Sequence, residues 1–118
     1  MTPVNLAQKL ALFDSHWDPK VIADYNDNDV MVVKFQGEFP FHMHETSDDF
    51  FLVLEGEMVM EYDDADPVTI RAGELVIVPK GQVHRPRADK EVKVLLIEPK
   101  GEPNSGDSGQ APAPKNRI

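Results

Sequence analysis

From Val30 to Pro99 the chain is a succession of short apolar and β-branched runs, each closed by glycine, proline or an acidic turn. "VMVVKF" (30–35) comes first. "FFLVLEGEMVMEY" (50–62) reads as two strands joined by a tight hairpin at Glu55-Gly56. "DDADP" (63–67) is a turn. "VTIRAGELVIVPKG" (68–81) gives two more strands about a turn at Ala72-Gly73, and "EVKVLLIEP" (91–99) is the last strong strand. Many short strands at near-regular spacing predict an all-β, antiparallel sandwich or barrel.

The flanks differ from this body. Leu6, Ala7, Leu10, Ala11 and Phe13 fall at helical spacing, with Asn5 placed to cap the first turn, so a short amphipathic helix is expected on the main body. "DYNDND" (24–29) is a turn signal. After Lys100 come three Pro, three Gly and two Ser, and this composition predicts a mobile tail. The expected organisation is a helical arm and lead-in over 1–29, a barrel over 30–100 and a flexible tail over 101–118.

At 118 residues there is room for one domain with a modest core. The net charge of -9 repels phosphate backbones and argues against nucleic acid as a partner. The absence of cysteine removes disulfides, thiolate metal sites and cysteine nucleophiles together. No stretch approaches the apolar length of a membrane span, and the N-terminus does not read as a signal peptide, so a soluble, cytoplasmic protein is expected.

Chemistry concentrates in "FHMHETSDDF" (41–50). On a strand, His42 and His44 would share one face, about 6–7 Å apart. Asp49 alternates with Phe51 and Val53, whereas Asp48 alternates with Phe50 and Leu52, so Asp49 points inward if Phe51 and Val53 line the interior. His84, in "PKGQVHRP", follows a Pro-x-Gly turn and can enter the same interior from another strand. Three imidazoles and one carboxylate suit Zn, Fe, Ni, Mn or Co. An H-x-H pair in an acidic chain is equally compatible with ordinary strand histidines. His16 has no partner at ligand spacing, and Asp48 is expected at the surface.

These residues resemble the two motifs of the cupin superfamily. Gly37, His42, His44, Asp49 and Gly56 follow the first motif, and Gly73, Pro79, Gly81 and His84 follow the second with every gap matching. The resemblance covers about residues 30–99. It implies a small single-domain cupin, that is, a jelly-roll or double-stranded β-helix barrel with one divalent transition metal held by His42, His44, Asp49 and His84. Small cupins of this kind are often labelled mannose-6-phosphate-isomerase-like. The family's usual carboxylate is glutamate, so aspartate at position 49 leaves the fourth ligand open. Ala88 also stands where the second motif commonly ends in Asn, and the gap from Gly37 to His42 is one residue short.

Family resemblance implies a metal-dependent enzyme on a small organic molecule, of dioxygenase, isomerase or lyase type. The alternatives are a non-catalytic small-molecule or metal-binding module and a structural cupin with a degenerate site. Phe51 and Val53 are the expected pocket residues, with Tyr25, Tyr62 and Glu38 as possible helpers. Met31, Met43, Met58 and Met60 read as sheet packing. Lys80, Arg85, Arg87, Lys90 and Lys93 place five of twelve bases within fourteen residues, which could draw in an anionic substrate. A homodimer is expected, through sheet edges or through the apolar Leu6 to Phe13 arm.

Overall fold

The computed structural model describes all 118 residues. One short helix, α1 (Leu6–Leu10), precedes eight strands: β1 (Lys20–Tyr25), β2 (Asn28–Glu38), β3 (Asp49–Glu55), β4 (Glu57–Tyr62), β5 (Val68–Arg71), β6 (Leu75–Val78), β7 (His84–Pro99) and β8 (Asn116–Arg117). The helix forms where its spacing places it, and the Asn5 side chain accepts from the Gln8 amide at 3.0 Å.

The strands form one curled sheet organised around β7, antiparallel except for the β1–β8 pair. Along one edge of β7 lies β2, from Asn28 opposite Pro99 to Glu38 opposite Arg87. Along its other edge lie β3 and β4 in succession. β3 pairs with the C-terminal half of β7 (Val53 opposite Val94), and β4 pairs with its beginning (Tyr62 opposite His84). β3 and β4 therefore form one long strand bent at Gly56, and the expected Glu55-Gly56 hairpin does not form. β5 and β6 repeat the pattern: β5 pairs with β4 and β6 with β3, bending at Gly73 instead of reversing there. Gly56 and Gly73 both adopt φ of +85°, which serves a bulge as well as a turn. Strands that bend from one face of the molecule to the other make the jelly roll, and the sheet does not close fully.

The barrel begins earlier than residue 30. Val21 and Ile22 are both buried in β1, and a register shift between Val21 and Ala23 breaks the alternation that would mark a strand. The "DYNDND" turn is present as the β1–β2 hairpin, with Asn26 at φ 52°. Inside, Met31, Phe35, Val53, Met58, Met60, Val92 and Val94 form half of the 14-residue main core and are all but sealed from water. Each such side chain contributes roughly 1.5–3 kcal/mol by leaving solvent. A smaller cluster of Leu10, Ile22 and Val32, with Leu6 and Phe13 against it, seats the helix on the sheet of its own chain.

The C-terminus departs most from expectation. Residues 101–118 do not run free but return across the barrel as a strap. β8 pairs in parallel with β1, and the Ile118 amide donates to the Val21 carbonyl at 3.0 Å. Ser105 is only 2% exposed. Composition alone predicts disorder here because the segment has almost no apolar surface. What holds it is mostly polar: backbone pairing, and ion pairs from Lys115 to Glu98 and from Arg117 to Asp24, with Ile118 packed against the Leu10, Ile22 and Val32 cluster at its end.

Candidate metal centre

Each member of the His-rich set reaches the interior by a different local device. His42 and His44 lie on an extended but irregular segment between β2 and β3, not on a regular strand. His42 is fixed by a two-way backbone bridge to His84, at 3.0 and 2.9 Å. Two residues on, the His44 carbonyl accepts from the Gly81 amide at 2.8 Å, which ties the H-x-H segment to the Pro-x-Gly turn. Gly81 adopts φ of +82°, the left-handed conformation that turns the chain into β7 and brings His84 inward. Asp49 opens β3 on its inward face, and the predicted alternation is observed: Asp49, Phe51 and Val53 are buried, while Phe50 and Leu52 are half-exposed. Asp48 is exposed and accepts from the Lys80 amide.

His42, His44, Asp49 and His84 are all buried, and one donor atom from each falls within 4.8 Å of the others. Ligands about 2.0–2.2 Å from a central ion are separated by distances within this range. The shorter aspartate does reach the centre. Its Oδ2 lies 2.9 Å from His84 Nε2 and 3.3 Å from His44 Nε2. These four residues could hold a metal ion.

The outer ring atoms decide what the inner ones can do. His42 Nδ1 lies 2.9 Å from the Pro40 carbonyl, His84 Nδ1 lies 2.8 Å from the Gln82 carbonyl, and His44 Nδ1 lies 3.1 Å from Glu102 Oε1. Carbonyl and carboxylate oxygens only accept, so each Nδ1 carries a proton and donates it. In a neutral ring Nε2 then holds a lone pair, aimed at the shared centre. His84 Nε2 and Asp49 Oδ2 would set lone pair against lone pair at 2.9 Å unless a cation sits between them. His44 Nε2 is buried with no hydrogen-bond partner at all.

Electrostatics reinforce this need for positive charge. Burial opposes ionisation of Asp49, yet His44 and His84 hold its carboxyl below the usual range. Burial pushes His42 down. Burial also opposes the charge on His44, but Asp49 and then Glu102 and Glu98 outweigh it and raise the imidazole to about 9. Without a metal, protons supply the positive charge.

Beside the centre lies a cavity of about 40 Å³ lined by Trp17, Phe35, Phe39 and Phe51, with His42, Asp49 and Glu98 as its charged or titratable groups. Trp17 stacks on Phe35 at 4.4 Å and is held at φ 57°, a left-handed conformation rare for a bulky residue. Glu98 is buried on the inward face of β7, and desolvation together with the charge of Asp49 raises it to about 7 despite its pairing with Lys115.

The other sequence expectations are placed as follows. Phe51 lines the cavity and meets His84 edge-on at 6.3 Å, whereas Val53 is sealed in the core and does not line it. Tyr25 and Glu38 are exposed, and Tyr62 packs against the core. Met43 is half-buried beneath the strap. His16 pairs with Glu91 far from the centre. Arg85 and Arg87 face away from His84 and are paired with Glu38 and Glu61, and Lys93 pairs with Glu55, so of this basic run only the exposed Lys80 and Lys90 keep a free charge. Trp17, Phe39, Glu98 and Glu102 are the cavity and site residues that sequence reasoning missed. Inward parity on β7, running from His84 through Leu96, would have found Glu98.

A family model described as the cupin domain matches residues 29–98. The chain is 37% identical over 79 residues to the uncharacterized protein YdbB of Bacillus subtilis, covering 67% of this chain and 70% of that protein. It is also similar to a cupin-2 domain containing protein from Shewanella frigidimarina, with a TM-score of 0.80 and 41% identity over 82% of this chain and 94% of that one. A more distant likeness is to hydroquinone 1,2-dioxygenase from Sphingomonas sp. TTNP3, solved in complex with 4-nitrophenol. There the TM-score is 0.74 and the identity 25%, over 83% of this chain but only 32% of that one.

Proposed function

The chain belongs to the cupin family, and we propose that it is a metal-dependent enzyme acting on a small organic molecule. One divalent transition ion (Zn, Fe, Ni, Mn or Co) would be held by His42, His44, Asp49 and His84. The observation that carries this reading is the set of three imidazoles whose Nδ1 protons are all committed outward, leaving their Nε2 atoms around one buried carboxylate. When bound, such an ion supplies Lewis-acid polarisation, a more acidic water or, as iron, dioxygen chemistry.

The residues around the ion have separable tasks. Trp17, Phe35, Phe39 and Phe51 exclude water and offer flat apolar walls to a planar molecule. Glu98, raised to about 7, is placed to accept or return a proton on the cavity side of the centre. An aromatic-walled pocket in a protein similar to a hydroquinone dioxygenase favours a dihydric phenol as the first substrate to test. A second reading, a non-catalytic binding module, draws on the size of the cavity. About 40 Å³ admits a few water molecules and no phenol unless the walls move.

Metal analysis of untagged protein is expected to find close to one divalent ion per chain, and a metal-free chain that also fails to take up added ions would sink the proposal. Oxygen uptake by the iron-loaded protein with hydroquinone would then assign a dioxygenase. Phenol binding without turnover would assign the binding module.

Assembly follows from the sheet edge. β6 pairs only with β3, and its Leu75 and Ile77 stand 55% and 52% exposed. The arm from Leu6 to Phe13 is already packed on its own chain, so the β6 edge is the surface we assign to a homodimer. Light scattering should give twice the chain mass for the native protein and a monomer for Ile77→Lys. A monomeric native protein at high concentration would remove the dimer.

A further inference from the structure

We infer that the C-terminal strap is a working part of the metal site, and that Glu102 is the positioning residue for His44. This rests on the metal reading above and adds to it, because the matched cupin domain ends at residue 98 and the strap lies beyond it.

The strap is fitted to the site, not merely draped over it. Glu102 accepts from His44 Nδ1 at 3.1 Å and is the only side chain to engage an outer nitrogen of the three rings; His42 and His84 use backbone carbonyls. Asn104 lines the cavity. Asp107 clamps the residue between the two histidines: its carboxylate accepts from the Met43 amide at 2.8 Å, and its own amide donates to the Met43 carbonyl at 3.2 Å. Gly106 makes this approach possible. A Cβ there would stand 2.5 Å from the Met43 carbonyl oxygen and 3.0 Å from a ring carbon of His42. Lys115 closes the strap, reaching Glu98 at 3.3 Å and the Glu102 carbonyl. A carboxylate behind a metal-binding imidazole fixes the ring's tautomer and orientation and makes its inner nitrogen a better donor. Because Glu102 arrives on a strap held mainly by polar contacts and anchored at its far end by Ile118, the geometry of His44 depends on the strap being docked.

Cobalt(II) binding by the full-length chain tests this, using competition with a chelator for affinity and the visible absorption of bound cobalt as a report on ligand geometry. Glu102→Ala should weaken cobalt binding roughly 10–100-fold and alter the cobalt spectrum. Glu102→Gln keeps an acceptor at the same place and loses only the charge, so it should recover part of that loss. Wild-type affinity and spectrum in Glu102→Ala would overturn the inference. So would a loss that Glu102→Gln does not relieve at all, since that marks general loosening of the strap. Should Glu102→Ala fail to fold, Glu102→Gln alone decides, with weakened binding in a folded chain expected and wild-type binding overturning. A native protein that binds no cobalt is a different outcome. It overturns the metal site itself, and this inference with it.

Discussion

Replacing His84 with alanine should leave the chain folded but unable to hold a metal ion. His84 contributes more to the centre than one donor nitrogen. Its ring stands 4.5 Å from that of His42, and its Nε2 is the nearest partner of the Asp49 carboxylate at 2.9 Å. Removing it deletes one of three imidazoles and, beside His44, the second of the two groups that hold the Asp49 carboxyl below its usual range. Loss of an outer hydrogen-bond partner typically costs about 10–100-fold in metal affinity, and loss of a ligand should exceed that. The fold should survive because the backbone bridge between residues 42 and 84 uses only N–H and C=O groups, which alanine retains. The buried carboxylate, left with His44 as its one remaining partner, should cost roughly 1–3 kcal/mol in the metal-free state. Thermal melts read both effects. Added zinc or cobalt at about 1,000 times the dissociation constant should stabilise the native protein by about 4 kcal/mol, and this gain should vanish in His84→Ala. Equal metal content in the variant and the native protein would remove His84 from the ligand set.

The centre was legible in the sequence because its logic is local. Parity along β3 needs only the pattern Asp49, Phe51, Val53, and it selects Asp49 over Asp48 correctly. Aspartate in the glutamate's place raises a question of reach, and β3 carries its Oδ2 to 2.9 and 3.3 Å from two imidazole nitrogens. The placement of His84 likewise needs only a Pro-x-Gly turn and a strand after it.

What stayed hidden depends on non-local pairing. A glycine at positive φ looks the same in sequence whether the chain reverses or merely bends. The difference at Gly56 is set by β7, sixteen residues long, which offers edge enough for β3 and β4 to lie end to end. β1 was missed because the shift at Val21 puts two apolar residues side by side. The strap was missed for a different reason. Composition measures the apolar surface a segment can bury, and this one is held by Glu102, Asp107, Lys115 and backbone amides, whose partners lie on distant elements. Glu98, one of those partners, is itself an inward carboxylate on a strand whose neighbouring inward residues are apolar, and such a break in the pattern points to a working site more often than to packing.

Metal affinity should climb steeply with pH. His44 is raised from an ordinary 6.5 to about 9 because the carboxylates around it overcome the penalty of burial. In the metal-free protein the charged ring therefore stabilises the fold. That contribution is fully present below pH 6.5 and is lost as pH rises through about 9. A metal ion needs the neutral ring, so it competes with this proton throughout the interval. One displaced proton makes apparent affinity rise tenfold per pH unit, or about 300-fold from pH 6.5 to 9, and level off above. His42 adds nothing to this slope: burial pushes its value down, so it is already neutral in that range. The two states should consequently diverge, with the melting temperature of the metal-free chain falling between pH 6.5 and 9 while the stabilisation by added metal grows. Chelator competition at pH 6.5, 7.5 and 8.5, together with proton release on adding zinc to weakly buffered protein, measures the slope directly. A flat affinity with no proton released would mean that His44 is neutral before the metal arrives, and that the carboxylates of Asp49, Glu98 and Glu102 do not act on it as their positions imply.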